Sequence, residues 1–78
     1  MKKVYDKKPR HKFKELRLAK GKTQREVAID IGVTETTIRY LENGYVNPSV
    51  ELLFKLASYF ETTVYDLWPD LAGEYCIV

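Results

Sequence analysis

Between Thr23 and Gly44 the chain reads TQREVAIDIGVTETTIRYLENG, two segments of helical length with a glycine between them. Each segment opens on a threonine, and this cadence restricts the possible folds more than any other feature. Thr23 with Glu26 three residues on has the form of a capping box, in which hydroxyl and carboxylate each take a backbone N–H. Val27, Ala28 and Ile31 then fall on one side of a short helix. Gly32 follows at once, and glycine accepts a left-handed backbone without steric penalty. Val33 is expected to plug the turn and Thr34 to cap the next helix. Ile38 and Leu41 point inward along it, and Asn43-Gly44 ends it. Ala28 is small at the place where the two helices must touch.

The flanking sequence supplies the rest of a small helical body. Residues 1–9 (MKKVYDKKP) read as a basic arm closed by Pro9, after which a helix can begin. Residues 10–20 space Phe13, Leu16 and Ala19 three apart, and Gly21 is expected to stop that helix with a Schellman-type end. Residues 44–48 read as a loop. Pro48-Ser49 then opens a fourth helix whose Val50, Leu53, Phe54, Leu56, Ala57 and Phe60 make an apolar face wider than one stripe. A short fifth helix runs from Thr63 to Leu67 and stops at Trp68-Pro69. The tail, residues 70–78, ends in an apolar alternation with the form of a strand. The expected architecture is all-α, a five-helix body over residues 10–69, with arm and tail able to add a small two-stranded sheet. In that sheet Tyr75–Val78 would pair with Lys2–Tyr5.

Seventy-eight residues allow one modest core, and a domain near this size buries only about 60% of the surface its unfolded chain exposes. Cys76 is the only cysteine and His11 the only histidine, which excludes an internal disulfide and a thiolate metal cluster. There is no apolar run long enough to span a membrane. The basic N-terminus lacks the apolar stretch of a secretory signal, so a cytoplasmic location is the default. Net charge is +2, but residues 1–25 hold eleven Lys or Arg against Asp6 and Glu15, a balance of +9. Residues 26–78 hold Arg39 and Lys55 against nine acids, a balance of −7. On charge alone, a solvated lysine-rich tail and a basic binding face are both open. No paired carboxylates, nucleophile–base set, metal spacing or phosphate-cradling glycine loop is present, so neither an enzyme nor a cofactor is expected.

Two short helices joined by a tight, glycine-bearing turn form a helix-turn-helix unit, whose second helix enters the major groove of DNA. Residues 13–68 resemble the lambda-repressor-like, Cro/cI or xenobiotic-response-element type family. The matching runs are L-R-x-x-K-G at 16–21, T-Q-x-E-V-A at 23–28 and I-G-V-T at 31–34. They continue as T-I-x-x-L-E-N-G at 37–44 and N-P-S-V-E-L-L at 47–53. The resemblance implies the family's contacts, position by position. Gln24 would bind phosphate and brace the recognition helix; Thr34, Thr37 and Asn43 would approach the sugar-phosphate backbone. Glu35, Thr36, Arg39 and Tyr40 would read bases. Arg17 and Glu42 would form a buried or half-buried ion pair. From the charge, Lys14 and Lys22 join the phosphate contacts. Glu61 and Thr62, in the turn between the last two helices, depart from the family's usual Gly-Val.

Elementary chemistry is compatible with these roles. Arg39 can bond guanine in bidentate fashion, and a threonine methyl suits the thymine methyl. Glu35 can accept from cytosine N4 or simply stabilise a helix N-terminus. His11 reads as an exposed arm residue, Cys76 as a buried or idle thiol, and Ile29 as exposed or not. The expected function is sequence-specific regulation of transcription, as a repressor binding double-stranded DNA. The repressor would sit on a palindromic operator as a homodimer, with the third helix in the major groove. A protein-interaction adaptor or antitoxin-type partner-binding module is the other class open to this fold. The dimer contact is expected from Tyr59, Val64, Tyr65, Trp68 and Leu71, on the reading that the sequence has more apolar surface than five short helices can bury. No small-molecule ligand is implied.

Overall fold

Four of the five helices begin on a hydroxyl side chain, and those caps set the element boundaries. The computed structural model describes residues 2–3 and 9–71. In chain order the elements are β1 (Lys2–Lys3), α1 (His11–Ala19), α2 (Gln24–Ile31) and α3 (Glu35–Glu42). β2 (Val46–Asn47), α4 (Val50–Tyr59) and α5 (Val64–Leu67) follow. Thr23, Thr34, Ser49 and Thr63 accept from the N–H groups of Glu26, Thr37, Leu52 and Asp66. Each such cap is worth about 1 kcal/mol. At α2 the Glu26 carboxylate also takes the Thr23 N–H at 3.0 Å, completing the capping box. That bond, then the one from the Thr23 hydroxyl, holds the Glu26 carboxyl below the usual carboxylate range. Helix α1 has no side-chain cap; its N-cap residue, Arg10, sends its N–H to the Glu42 carbonyl at 2.8 Å.

The turns are as local as the caps. Gly32 ends α2 at φ +88°, and the Gly32 and Val33 N–H groups share the Ala28 carbonyl at 2.8 and 3.0 Å. Residues 32–34 alone therefore separate α2 from α3. Helix α1 ends as a Schellman motif, with Gly21 N–H on Leu18 O and Lys22 N–H on Arg17 O. Helix α4 ends on the same pair of bonds, Glu61 to Ser58 and Thr62 to Ala57, but its left-handed residue is Glu61 at φ +54°.

Phe13 sits at the middle of the core, edge-on to Phe60 at 5.2 Å and to Trp68 at 5.8 Å. Around it pack Val27, Ala28, Ile31, Ile38, Leu41, Leu53, Leu56, Leu67 and Leu71, with Leu16, Val33 and Val46 at the margin. The apolar width of α4 exceeds what the core takes in: Leu53, Leu56 and Ala57 are buried, whereas Val50 and Phe54 stay exposed. Ile29 is exposed as well.

Two expectations change. Residues 44–48 are not simply a loop, because Val46–Asn47 pairs antiparallel with Lys2–Lys3 in the register Lys2↔Asn47, Lys3↔Val46. The N-terminal strand thus takes its partner from the segment after α3, and Tyr75–Val78 lies outside the described residues. Residues 69–71 are helical, so the tail leaves α5 as a further helical turn after the break at Trp68. The second change concerns the residues expected at a dimer contact. Trp68 is completely enclosed and Val64 and Leu71 are buried. All three belong to the core of a single chain, because Trp68 fills the space beside Phe13 and leaves no apolar surface to a partner. Tyr59 is half-buried, and Tyr65 is the one exposed member of that set. No helix among the described residues is long and apolar enough to cross a membrane.

Candidate nucleic-acid interface

Helix α3 divides cleanly by its period. Ile38 and Leu41 face the core with no exposed surface, while Glu35, Thr36, Arg39 and Tyr40 are exposed. Their spacing of one, three and four residues puts the four on one outer face. The Arg39 guanidinium lies 5.8 Å from the Tyr40 ring centre, and Tyr40 meets Tyr45 edge-on at 5.5 Å. At the start of the helix the Thr34 and Thr37 hydroxyls stand 2.8 Å apart. Whichever donates, one hydroxyl hydrogen of the pair is left to reach a phosphate oxygen.

Beneath this face, three elements are tied through one carboxylate. Arg17 of α1 donates Nε to Glu42 Oε1 at 2.7 Å and Nη2 to Oε2 at 3.2 Å. Gln24, first residue of α2, donates Nε2 to the same Oε2 at 3.1 Å. The remaining Arg17 nitrogen, Nη1, donates to the Lys22 carbonyl at 2.8 Å, fixing the α1–α2 loop. Both Arg17 and Glu42 are buried. A pair in that setting adds little net stability against a well-packed apolar replacement, and losing one partner costs about 3–5 kcal/mol. Its geometric effect is to register the start of α2 and the end of α3 against α1. Gln24 keeps a second Nε2 hydrogen, as a primary amide carries two.

Asn43, just past α3, shares a cleft with Lys14, His11 and Pro9 at the start of α1. Lys14 and His11 are exposed there. Lys22 is placed differently: its ammonium is 3.3 Å from Asp30 Oδ2, which also accepts the Tyr59 hydroxyl at 2.6 Å. The hydroxyl first, then Lys22, holds the Asp30 carboxyl below its ordinary range. Partial burial first, then the bond to Asp30, pushes Tyr59 up to about 12. Lys20 lies 5.0 Å from the Tyr59 ring centre, so this junction gathers two cations of the α1–α2 loop.

Arg10 is the residue that sequence reasoning missed. Counted among the basic arm and helix, it is buried, with Nη1 and Nη2 on Asp70 at 2.6 and 3.2 Å. Its guanidinium also lies 5.8 Å from the Trp68 ring centre. Sixty residues separate the partners, and no local pattern signals such a pair.

A helix-turn-helix family model matches residues 13–67. An uncharacterised HTH-type transcriptional regulator of Archaeoglobus fulgidus is 41% identical over 59 residues, 76% of this chain and 84% of that protein. A second from the same organism is 39% identical over 76% of this chain and 83% of its own length. One from Methanocaldococcus jannaschii is 34% identical, covering 76% and 89%. No solved structure matches the chain significantly. Neither the family match nor these relatives bring an enzymatic domain, and no cluster of metal-ligating side chains occurs among the described residues. A capped α2, a three-residue turn and a half-buried α3 are the unit that the family model describes, and the chain belongs to the helix-turn-helix family of HTH-type transcriptional regulators.

Proposed function

We propose that the protein is a lambda-repressor-like regulator that binds a palindromic operator as a homodimer, with α3 in the major groove of each half-site. The observation that carries this reading is the outer face of α3. Four exposed side chains able to bond or touch base edges lie over a buried anchor that fixes the helix from below. Glu35, Thr36, Arg39 and Tyr40 read bases; Gln24, Thr34, Thr37, Asn43 and Lys14 hold the sugar-phosphate backbone, and Lys22 joins them when it leaves Asp30. Repression follows from occupancy of the operator, and a DNA partner places the protein in the cytoplasm. An adaptor that worked through protein partners would have no use for this set of backbone-seeking amides and hydroxyls along the helix pair.

Dimerisation is argued from affinity. One α3 offers few base contacts, whereas two related by a two-fold axis and about 34 Å apart meet successive turns of the groove. Selection of bound sequences from a random duplex pool tests the reading. It is expected to return two inverted half-sites centred about one helical turn apart. Recovery of no preferred sequence would overturn it.

A further inference from the structure

Lys14, one turn into α1, is exposed, and Arg10 is not: its side chain is 7% exposed and its charge is met by Asp70. An arginine neutralised in this way adds nothing directly to phosphate binding. It does join three distant places. Its N–H holds the Glu42 carbonyl at the end of α3, its guanidinium holds Asp70 beyond α5, and its backbone leads into α1. Glu42 is therefore gripped twice, by its carboxylate through Arg17 and Gln24 and by its carbonyl through Arg10. The cleft of His11, Lys14 and Asn43 straddles this junction, with two of its members on α1 and one just past α3.

We propose that Arg10 is a positioning residue for duplex binding: anchored by Asp70, it holds the start of α1 against the end of α3, so that Lys14 and Asn43 meet one stretch of DNA backbone together. The inference rests on the DNA-binding reading above. Stability alone is a poor reason for the pair, since burying the guanidinium offsets much of what the contact gains. What a two-bond fork supplies is direction, which a lysine ammonium cannot reproduce. The role also links the chain beyond α5 to the DNA-facing side.

Asp70→Asn, which keeps the shape of the side chain, and Arg10→Lys test the role. Affinity for a mixed-sequence duplex of about 20 base pairs, two helical turns, is measured by anisotropy over a range of salt, at a temperature where circular dichroism shows the variants folded. Each variant is expected to lose about tenfold in affinity on every sequence alike. The slope of log K against log salt is expected to become shallower by about one. Lys14→Ala supplies the readout that a merely structural role would not move. Its loss is large in the wild-type background and small beside Asp70→Asn, because the cleft is already misplaced. Full additivity of the two changes, or a folded Asp70→Asn with wild-type affinity and slope, overturns the role while leaving the DNA reading intact. A wild-type chain that does not bind the duplex brings down both.

Discussion

Glu61 takes the left-handed conformation that closes α4, with both bonds of the Schellman motif made around it. A side chain at φ +54° crowds its own backbone, where glycine would not. Glu61→Gly is expected to raise stability by about 1 kcal/mol, read as a higher urea midpoint at unchanged slope. A second single-residue effect lies at Tyr59. Its raised pKa means that the bond to Asp30 contributes in full below the ordinary phenol value of 10 and is lost as pH rises through about 12. Asp30, held low, contributes above the ordinary carboxylate range and loses that contribution as pH falls through its depressed pKa. The stability difference between wild type and Tyr59→Phe is thus expected to be flat near neutrality and to shrink toward zero between pH 10 and 12. Chemical denaturation across that range checks it, and a difference that persists unchanged to pH 12 counts against the bond. Neither effect was legible beforehand: the sequence marks 61–62 as unusual, but Tyr59 and Asp30 are 29 residues apart and meet only when α2 and α4 pack.

At the scale of elements, α3 carries the main argument about specificity. Arg39→Ala and Tyr40→Ala are expected to alter which sequences are selected, each costing about 1–3 kcal/mol at the base pair it reads. They should leave the unfolding midpoint nearly unchanged, since both side chains are exposed. If both variants recover the wild-type site from a random pool, the outer face is not the reading face. Helix boundaries were readable because caps and turns are decided within four or five residues: Thr23 with Glu26, Gly32 against Ala28, and Ser49 with Leu52 are all local bonds. The two-residue strand Val46–Asn47 was not, because its partner lies at the far end of the chain and two residues carry no period. Long-range polar contacts divide in the same way. Arg17 with Glu42 was reachable through the family resemblance, whereas Arg10 with Asp70 had no motif to announce it.

Across the whole molecule, burial decides which surfaces are free for a second copy. Counting apolar residues past α4 overstated the surplus, because Val64, Leu67, Trp68 and Leu71 close the core around Phe13. Trp68→Ala is therefore expected to unfold the domain, a loss of about 3–5 kcal/mol, not to release a folded monomer. Among the large apolar side chains that stay outside are Leu18 on α1, Ile29 on α2, Val50 and Phe54, one turn apart on α4, and Tyr65 on α5. A small domain with a single modest core has little stability in reserve, and a two-fold partner would add to both stability and operator affinity. Sedimentation at micromolar concentration is expected to give a dimer, and Tyr65→Ala to shift it toward monomer with the helical signal retained. A chain that stays monomeric both free and on a palindromic duplex would remove the dimer from the reading. The α3 face and its Glu42 anchor would stand, because each is complete within one chain.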